Sequence, residues 1–518
     1  MKNVLEYLET TEKVFPEKTG VIDETGAYSF VQLAKESRHV GTGLLRYVTP
    51  GQPVAVFMKK SMAALCGFFG IVYAGGFYTY FDPALPSVRM GQIAEILHLT
   101  VVLTDKEHIC LAKDYFPAAE CLCIEELMQT AEDTEKLAGI RAQQIDTDPL
   151  YVNFTSGSTG APKGVVVSHS SVLDFTDVFA ETFGFDKTER IANQAPFDFD
   201  VSVKDIYTAI KTGATLVLVP RELFSRPVEL LDFLCEQKIT TMIWAVSALC
   251  LVSMFHGLDY KCPVTVRKVL FSGEVMPMKQ LKDWMVHLPE AEFVNLYGPT
   301  EITCNCTYHV IRRDREYAEG IPIGRAFANE AVFLMDEKRQ RVTEPGAVGE
   351  ICVRGRALAL GYYGDALQTS QAFVQNPLHQ HYLDPVYRTG DLGRYDADGE
   401  LYFAGRKDFQ IKYRGHRIEL EEIERAMVKV AGVERCVCVF DEKKSRLYGF
   451  YTGTIDKKDL HEAMSKALPP FMLPERLVAR DSFILTKNGK IDRKLLLKEV
   501  TAKKGSTVQP EDDKSEQH

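Results

Sequence analysis

Short apolar runs separated by stretches of helical periodicity set the pattern of this chain. Val54-Ala55-Val56-Phe57, Val101-Val102-Leu103 and Thr215-Leu216-Val217-Leu218-Val219 are strand-length and almost wholly apolar, as strands covered on both faces are, and the sequence between them reads as helix. That alternation predicts parallel α/β sheets. Residues 63–81 are nearly free of charge and about long enough to span a bilayer, but Gly67, Gly70, Gly75 and Gly76 punctuate them. They are read as a buried helix running into a buried strand, with no membrane insertion. Ala331-Val332-Phe333-Leu334-Met335 and Glu350-Ile351-Cys352-Val353 lie in sequence broken by Gly and Pro, which predicts a β-rich subdomain.

After residue 407 the texture changes. Glu419-Leu420-Glu421-Glu422-Ile423-Glu424 opens an amphipathic helix, Cys436-Val437-Cys438-Val439-Phe440 and Leu447-Tyr448-Gly449-Phe450-Tyr451 read as strands, and a further helix follows over about 458–467. The expected fold class is α/β: a large N-terminal domain of parallel α/β sheets plus a β-rich subdomain (1–407) and a small α+β C-terminal domain (408–502). A polar tail without aromatics (503–518) reads as disordered. No internal repeat stands out.

Composition narrows the classes. A chain of 518 residues is too long for one ordinary core and implies at least two domains, and 46% hydrophobic with 25% charged residues is an ordinary globular balance. The net charge of −10, with no basic stripe interleaved with aromatics, argues against a nucleic-acid partner. The 12 cysteines include the pairs Cys121/Cys123, Cys304/Cys306 and Cys436/Cys438. A spacing of two puts both thiols on one face of a strand, whereas zinc sites usually use CxxC, so buried free thiols are expected. Nothing in Met1-Lys2-Asn3-Val4-Leu5-Glu6-Tyr7 reads as a secretion signal, which makes the cytoplasm the expected compartment.

The candidate chemistry centres on Phe154-Thr155-Ser156-Gly157-Ser158-Thr159-Gly160-Ala161-Pro162-Lys163-Gly164, directly after an apolar run. Glycines let backbone N–H groups approach anionic oxygens, hydroxyls add donors, and Lys163 adds a point charge, so the loop suits polyphosphate. By itself it also fits a flexible surface turn, and it is not a Walker A loop. Further motifs follow the same chain in order. Tyr28-Ser29-Phe30 and Ala74-Gly75-Gly76-Phe77-Tyr78 precede the loop, and Phe199-Asp200-Val201-Ser202-Val203 and Asn295-Leu296-Tyr297-Gly298-Pro299-Thr300-Glu301 follow it. Then come Tyr387-Arg388-Thr389-Gly390-Asp391, Gly405-Arg406-Lys407-Asp408-Phe409-Gln410-Ile411-Lys412 and Asn488-Gly489-Lys490-Ile491-Asp492-Arg493.

Together these resemble the adenylate-forming superfamily of amino-acid adenylation domains, acyl-CoA synthetases and luciferases. Asn193-Gln194-Ala195-Pro196-Phe197, Phe271-Ser272-Gly273-Glu274-Val275 and the run Arg417-Ile418-Glu419-Leu420-Glu421-Glu422-Ile423-Glu424 are most similar to ligases that activate D-alanine and load it onto a carrier protein; a stand-alone peptide-synthetase adenylation domain is the alternative. The resemblance implies an ATP- and Mg²⁺-dependent enzyme that converts an amino acid to its adenylate and transfers it to a carrier's phosphopantetheine thiol. A chain ending soon after Arg493 suggests that the carrier is supplied in trans. The pathway would be D-alanylation of teichoic acids or, failing that, peptide natural-product assembly.

The resemblance also implies roles. Lys490 would bridge the attacking carboxylate and the α-phosphate, Glu301 would hold Mg²⁺, and Thr300 would donate to the phosphates. The nucleotide would be bound by Thr155, Ser156, Gly157, Ser158, Thr159 and Lys163 of the loop and by Asn295, Leu296, Gly298 and Pro299. Tyr297 would stack on adenine, Asp391 would take the ribose hydroxyls, and Phe403 and Arg406 would lie beside the nucleotide. Each residue alone has a plainer reading: a turn lysine, a solvated carboxylate, a Gly-Asp turn. Asp408 would be the hinge about which a mobile C-terminal domain rotates, exchanging Lys490 for the face carrying Lys412, Arg414 and Gly415.

Asp200 is the residue that separates substrate classes, because a carboxylate beside the acyl site pairs with an α-ammonium and repels a fatty acid. The pocket carried over by motif is Asp200, Val201, Lys204, Ile243, Leu270, Ser272, Leu296, Cys304, Asn305 and Lys490. Lys204 and Ser272 depart from the D-alanine pattern, which has an apolar residue and a cysteine there. Either Lys204 points into the pocket and implies a polar or acidic amino acid or a second pocket charge, or it snorkels out along its stem and leaves a small apolar pocket. The second alternative is expected, and with it D-alanine. An acyl-CoA synthetase and a non-catalytic nucleotide-binding relative are the remaining alternatives; the first would not need Asp200, and the second would lack Lys490 or Glu301.

Overall fold

The computed structural model describes residues 1–156, 161–407, 410–484 and 491–501. Gly157, Ser158, Thr159, the expected hinge Asp408, Lys490 and the tail 503–518 lie outside the described residues. The chain forms two compact units, one of Met1–Ser156 with Pro162–Arg417, the other of Ala161 with the described residues from Ile418 on.

The first unit holds three large sheets. In the nine-stranded sheet, Thr19–Asp23, Thr215–Leu218, Arg190–Asn193, Thr241–Ala245, Lys268–Ser272 and Glu292–Tyr297 run parallel in that spatial order, with antiparallel Gly26–Ser29 at one edge and Thr307–Val310 then Arg325–Ala326 at the other. In the seven-stranded sheet, Glu120–Cys123, Val101–Thr104, Pro53–Phe57, Phe77–Phe81 and Pro149–Thr155 are parallel, and Lys163–Ser168 and Gly361–Tyr362 close the edge antiparallel. The sheets are thus mixed rather than wholly parallel, because strands as close in sequence as Pro149–Thr155 and Lys163–Ser168 can pair only as antiparallel neighbours. The third sheet, built on Glu330–Met335, Val348–Gly355 and Pro385–Tyr395, is antiparallel and is the expected β-rich part.

One hydrophobic core takes residues from both mixed sheets and from the helices Phe30–Leu44, Met62–Tyr73, His169–Thr182 and Val201–Thr212, so these helices form a layer that the two sheets share. Met62–Tyr73 is buried from end to end and passes through Gly75, at φ +84, into Phe77–Phe81, as its uncharged sequence predicts. Ser29 of the Tyr28-Ser29-Phe30 motif accepts from the Gln32 N–H while Gln32 returns to the Ser29 N–H, a capping box that starts Phe30–Leu44. Among the described residues all cysteines are free thiols, and no helix is long and apolar enough to cross a membrane.

The second unit is α+β. Val433–Asp441 and Arg446–Gly453 pair antiparallel, Arg476–Ala479 joins parallel, and Val437, Val439, Tyr448 and Phe450 make a core with Leu496 of the helix Arg493–Thr501. The amphipathic helix expected from 419 runs over Leu420–Val428 and buries Leu420, Ile423 and Met427, and the one expected at 458–467 runs over Lys457–Ser465.

His169, fully buried at the start of its helix, accepts the Val4 N–H on Nδ1 at 3.4 Å. Burial, with Arg141 adding to it, pushes its pKa from 6.5 down to about 3. The folded state therefore keeps the ring neutral while the unfolded chain takes a proton below about 6.5. The stability involved is full above that pH and is lost as pH falls toward 3, at up to ~1.4 kcal/mol per pH unit. Relative to His169→Gln, the wild type is expected to lose about 2 kcal/mol more between pH 7 and pH 5 in urea unfolding. Parallel pH profiles would remove His169 as a cause.

Candidate functional site

The site lies where strands end. Ser272 closes Lys268–Ser272, Tyr297 closes Glu292–Tyr297, and the loops that follow line a single cleft, at the carboxyl ends of parallel strands where open α/β sheets place their ligands. That cleft takes in Asp200, Val201, Ser272, Cys304 and Asn305 of the expected substrate pocket together with Gly298, Pro299, Thr300, Asp391 and Arg406 of the expected nucleotide site.

Glu301 is its most strongly held charge. Completely buried in the one-turn 3₁₀ helix Thr300–Ile302, it accepts the Tyr362 hydroxyl on Oε1 at 2.8 Å, pairs with Arg417 through Oε2 at 2.8 Å, and has Lys163 Nζ 3.5 Å from Oε1. Burial by itself would raise its pKa. Arg417, Lys163 and the Tyr362 hydroxyl outweigh it and hold the carboxyl far below the ordinary carboxylate range. Lys163 also lies 4.9 Å above the Tyr362 ring, and the Ser156 hydroxyl donates to the Arg417 carbonyl at 2.8 Å. Thr155 leaves Oγ1 buried with no hydrogen-bond partner among the described residues, a hydroxyl that a phosphate oxygen would satisfy.

Asp391 is buried and fully engaged. Its Oδ2 accepts the Tyr297 hydroxyl at 2.6 Å, its Oδ1 pairs with Arg406, and Lys412 Nζ stands 5.1 Å from the centroid of the Tyr297 ring. Both the carboxylate expected on ribose and the ring face expected on adenine thus have protein partners in this arrangement. Asn295, expected at the nucleotide, donates its amide to the Pro322 carbonyl at 2.8 Å and ties a loop down. Phe403 is half-buried against the cluster that holds Tyr297 and Ile302.

Ile243, Lys204, Leu270 and Leu296 of the expected substrate pocket lie behind the cleft and do not line it. Ile243, Leu270, Leu296 and Cys304 are buried in one core cluster, with Val201 buried beside Asp200. Asp200 precedes the helix Val201–Thr212 but makes no side-chain cap, so its carboxylate is not spent on the helix end. Its backbone carbonyl accepts the Cys304 thiol at 3.0 Å. Burial pushes its carboxyl up, against the Thr300 hydroxyl and the Lys204 ammonium, which pull it down.

Lys204 does not snorkel. It is completely buried and donates to Asn305 Oδ1 at 2.7 Å and to Ser272 Oγ at 3.4 Å, which overturns the expectation of a small, wholly apolar pocket. The helix explains it: every residue from Val201 to Ile210 is buried, so no direction off this turn leads the stem to water. Burial lowers the Lys204 pKa, opposed by Cys304, Asp205 and Asp200.

Arg417 and Tyr362, which clamp Glu301, were not singled out from the sequence for that role. Arg417 stands in a motif run, but nothing local marks its partner, and Tyr362 carries no local signal at all. Gly298 is the position that makes the geometry possible: a Cβ there would sit 2.4 Å from Asn305 Cα and 2.7 Å from the Cys304 carbonyl oxygen.

Two mixed sheets sharing a layer of helices, joined to an antiparallel one and carrying a charged cleft at the strand ends, define an α/β enzyme class. Residues 8–363 match the family described as AMP-binding enzyme, and the chain belongs to that family. Tyrocidine synthase 2 of Brevibacillus parabrevis is 32% identical over 493 residues, covering 93% of this chain and 13% of that protein. Gramicidin S synthase 2 of Brevibacillus brevis is 32% identical over 505 residues, 96% of this chain and 11% of its own. The chain thus spans less than a fifth of these curated relatives. Holo-PA1221, an NRPS protein containing adenylation and PCP domains bound to a vinylsulfonamide inhibitor, superposes with a TM-score of 0.82 at 26% identity, over 96% of this chain and 84% of that one. The crystal structure of IdnL1 does so with a TM-score of 0.79 at 28% identity, over 93% and 98%.

Proposed function

We propose that this chain activates an amino acid. Its carboxylate attacks the α-phosphorus of ATP and pyrophosphate leaves, giving the aminoacyl adenylate; a phosphopantetheine thiol of a carrier protein then attacks the carbonyl and AMP leaves. The observation that carries this reading is Asp200, a buried carboxylate free of helix-capping duty in the same cleft as Asp391 and Arg406. A fatty acid gains nothing from such a charge, whereas an α-ammonium is paired by it. The carrier step is supported by the adenylation and PCP domains of the solved relative. Lys490 is assigned the bridging of the two reacting anions, and rotation about Asp408 the change between half-reactions, both by resemblance. ATP is the proposed cosubstrate, and the Thr155 hydroxyl and Lys163 fit its phosphates.

Mg²⁺ was expected on Glu301. In this arrangement Arg417 and Tyr362 occupy both carboxylate oxygens, so a metal does not fit beside Glu301 unless the guanidinium leaves, and no step is assigned to it. D-alanine, favoured on the sequence, loses its support with Lys204 buried behind Ser272 and Asn305, because a methyl side chain offers that ammonium no acceptor.

ATP–pyrophosphate exchange across the twenty amino acids, D-alanine and several fatty acids tests the reading. Asp200→Asn is expected to raise the KM for the amino acid on the order of a hundredfold while changing that for ATP little. Exchange driven by fatty acids, or an Asp200→Asn variant with an unchanged amino-acid KM, would remove it.

A further inference from the structure

The cleft and the layer directly behind it carry two opposite charges, and among the described residues the second has no carboxylate within ion-pairing distance, only the longer-range attraction of Asp200 and Asp205. Asp200 and Lys204 stand four residues apart at the start of one helix, and such positions share a face. Asp200 is accounted for by the α-ammonium of the proposed substrate. Lys204 has three N–H donors, of which Asn305 Oδ1 and Ser272 Oγ, both neutral, take two. Among the described residues no carboxylate oxygen lies within ion-pairing distance of it. The adjacent Asp205 attracts it without forming an ion pair: Asp205 Oδ2 accepts the Asn193 amide at 2.7 Å, and burial pushes the Asp205 pKa up to about 7 against the pull of Asn193 and Lys204.

Ser272 and Asn305, the two groups that hold the ammonium, themselves line the cleft, so the charge lies directly behind the surface that a substrate side chain touches. A buried ammonium facing a neutral side chain keeps only the longer-range attraction of Asp200 and Asp205, and burial without a direct ionic partner is what makes a charge costly. A carboxylate there neutralises it and finds the Ser272 hydroxyl and the Asn305 amide nitrogen as further donors. The charges then alternate along the bound molecule: Asp200 with the α-ammonium, Lys204 with a side-chain carboxylate.

Resting on the reading that the site activates an amino acid, we propose that the amino acid is a dicarboxylic one, of the aspartate and glutamate class, and that Lys204 is the residue that selects it. The position of Asn305 supports this role. Thr303 and Cys304 hold left-handed backbone, φ 50 and 77, and the Thr303 hydroxyl is anchored on the Ala357 carbonyl at 2.6 Å. Strain of that kind persists where the surroundings enforce it, and here it delivers Asn305 to the lysine.

The test is ATP–pyrophosphate exchange with aspartate, glutamate, both alanine enantiomers, serine and glycine, in the wild type and in Lys204→Met, which keeps the stem and removes the charge. Wild-type kcat/KM for aspartate or glutamate is expected to exceed that for alanine by on the order of a hundredfold or more, and in Lys204→Met the preference is expected to fall below about tenfold. Calorimetry on the wild type alone, with aspartyl and alanyl adenosine sulfamates as probes, decides the matter even if the variant fails to fold: the aspartyl compound is expected to bind on the order of a hundredfold more tightly. Alanine, serine or glycine as the best wild-type substrate, or an acidic preference that survives in Lys204→Met, overturns the selection while leaving amino-acid activation standing. Exchange with fatty acids and no amino acid overturns both.

Discussion

Glu301→Ala is expected to abolish adenylate formation and to unfold at a markedly lower denaturant concentration than the wild type. The carboxylate neutralises Arg417, only 13% exposed at its side chain, and lies 3.5 Å from Lys163, so its removal takes the carboxylate from a buried guanidinium. Breaking a buried pair from one side costs about 3–5 kcal/mol. The loss in exchange rate is expected to reach on the order of a hundredfold or more, since the residue organises the charge around the proposed phosphate site. Glu301→Gln separates charge from shape, because it keeps an oxygen for the Tyr362 hydroxyl. The folded-state pKa of Glu301 is depressed below its ordinary 4.5, so its contribution to stability is present above that pH and is lost as pH falls below it. The glutamine variant is therefore expected to differ most from the wild type at neutral pH and to converge on it in acid. Wild-type exchange and an unshifted unfolding midpoint in Glu301→Ala would show that the clamp does neither job.

Gly298→Ala carries the other large effect. The added methyl would meet only backbone, at 2.4 Å from Asn305 Cα, 2.7 Å from the Cys304 oxygen and 2.9 Å from the Cys306 nitrogen. No flexible side-chain end is there to yield. The loop that delivers Cys304 and Asn305 to the pocket must move, and overpacking of this kind costs about 1–3 kcal/mol. Because that loop lines the cleft and holds Lys204 through Asn305, kcat/KM for the proposed amino acid is expected to fall on the order of a hundredfold while the protein still unfolds in one cooperative step. Retention of wild-type kcat/KM would mean that the Cys304–Asn305 backbone adjusts without disturbing the pocket.

Elements and site differ in how legible they are along the chain. Buried strands such as Val101–Thr104 and Thr215–Leu218, the uncharged helix Met62–Tyr73 and the change of texture beyond residue 407 all follow from local rules. An apolar run of strand length must be covered on both faces, and a period near 3.6 buries one stripe. The glycine-rich loop, Asp200, Glu301 and Asp391 are singled out through the resemblance that their motifs carry, since each residue alone has a plainer reading. What the partners of those charges are is not legible along the chain. Lys204 meets Asn305 across 101 positions of sequence and Ser272 across 68, and Glu301 meets Arg417 across 116. A long polar side chain reaches either water or the interior from the same backbone position, and only elements brought in from elsewhere decide which. The sequence by itself determined the α/β framework and the cluster of motifs, because hydrophobic period, glycine and turn chemistry act within a few residues. Tertiary structure alone decided that Lys204 is buried against Ser272 and Asn305 and that Arg417 clamps Glu301, because burial and ion pairing are set by where distant strand ends converge.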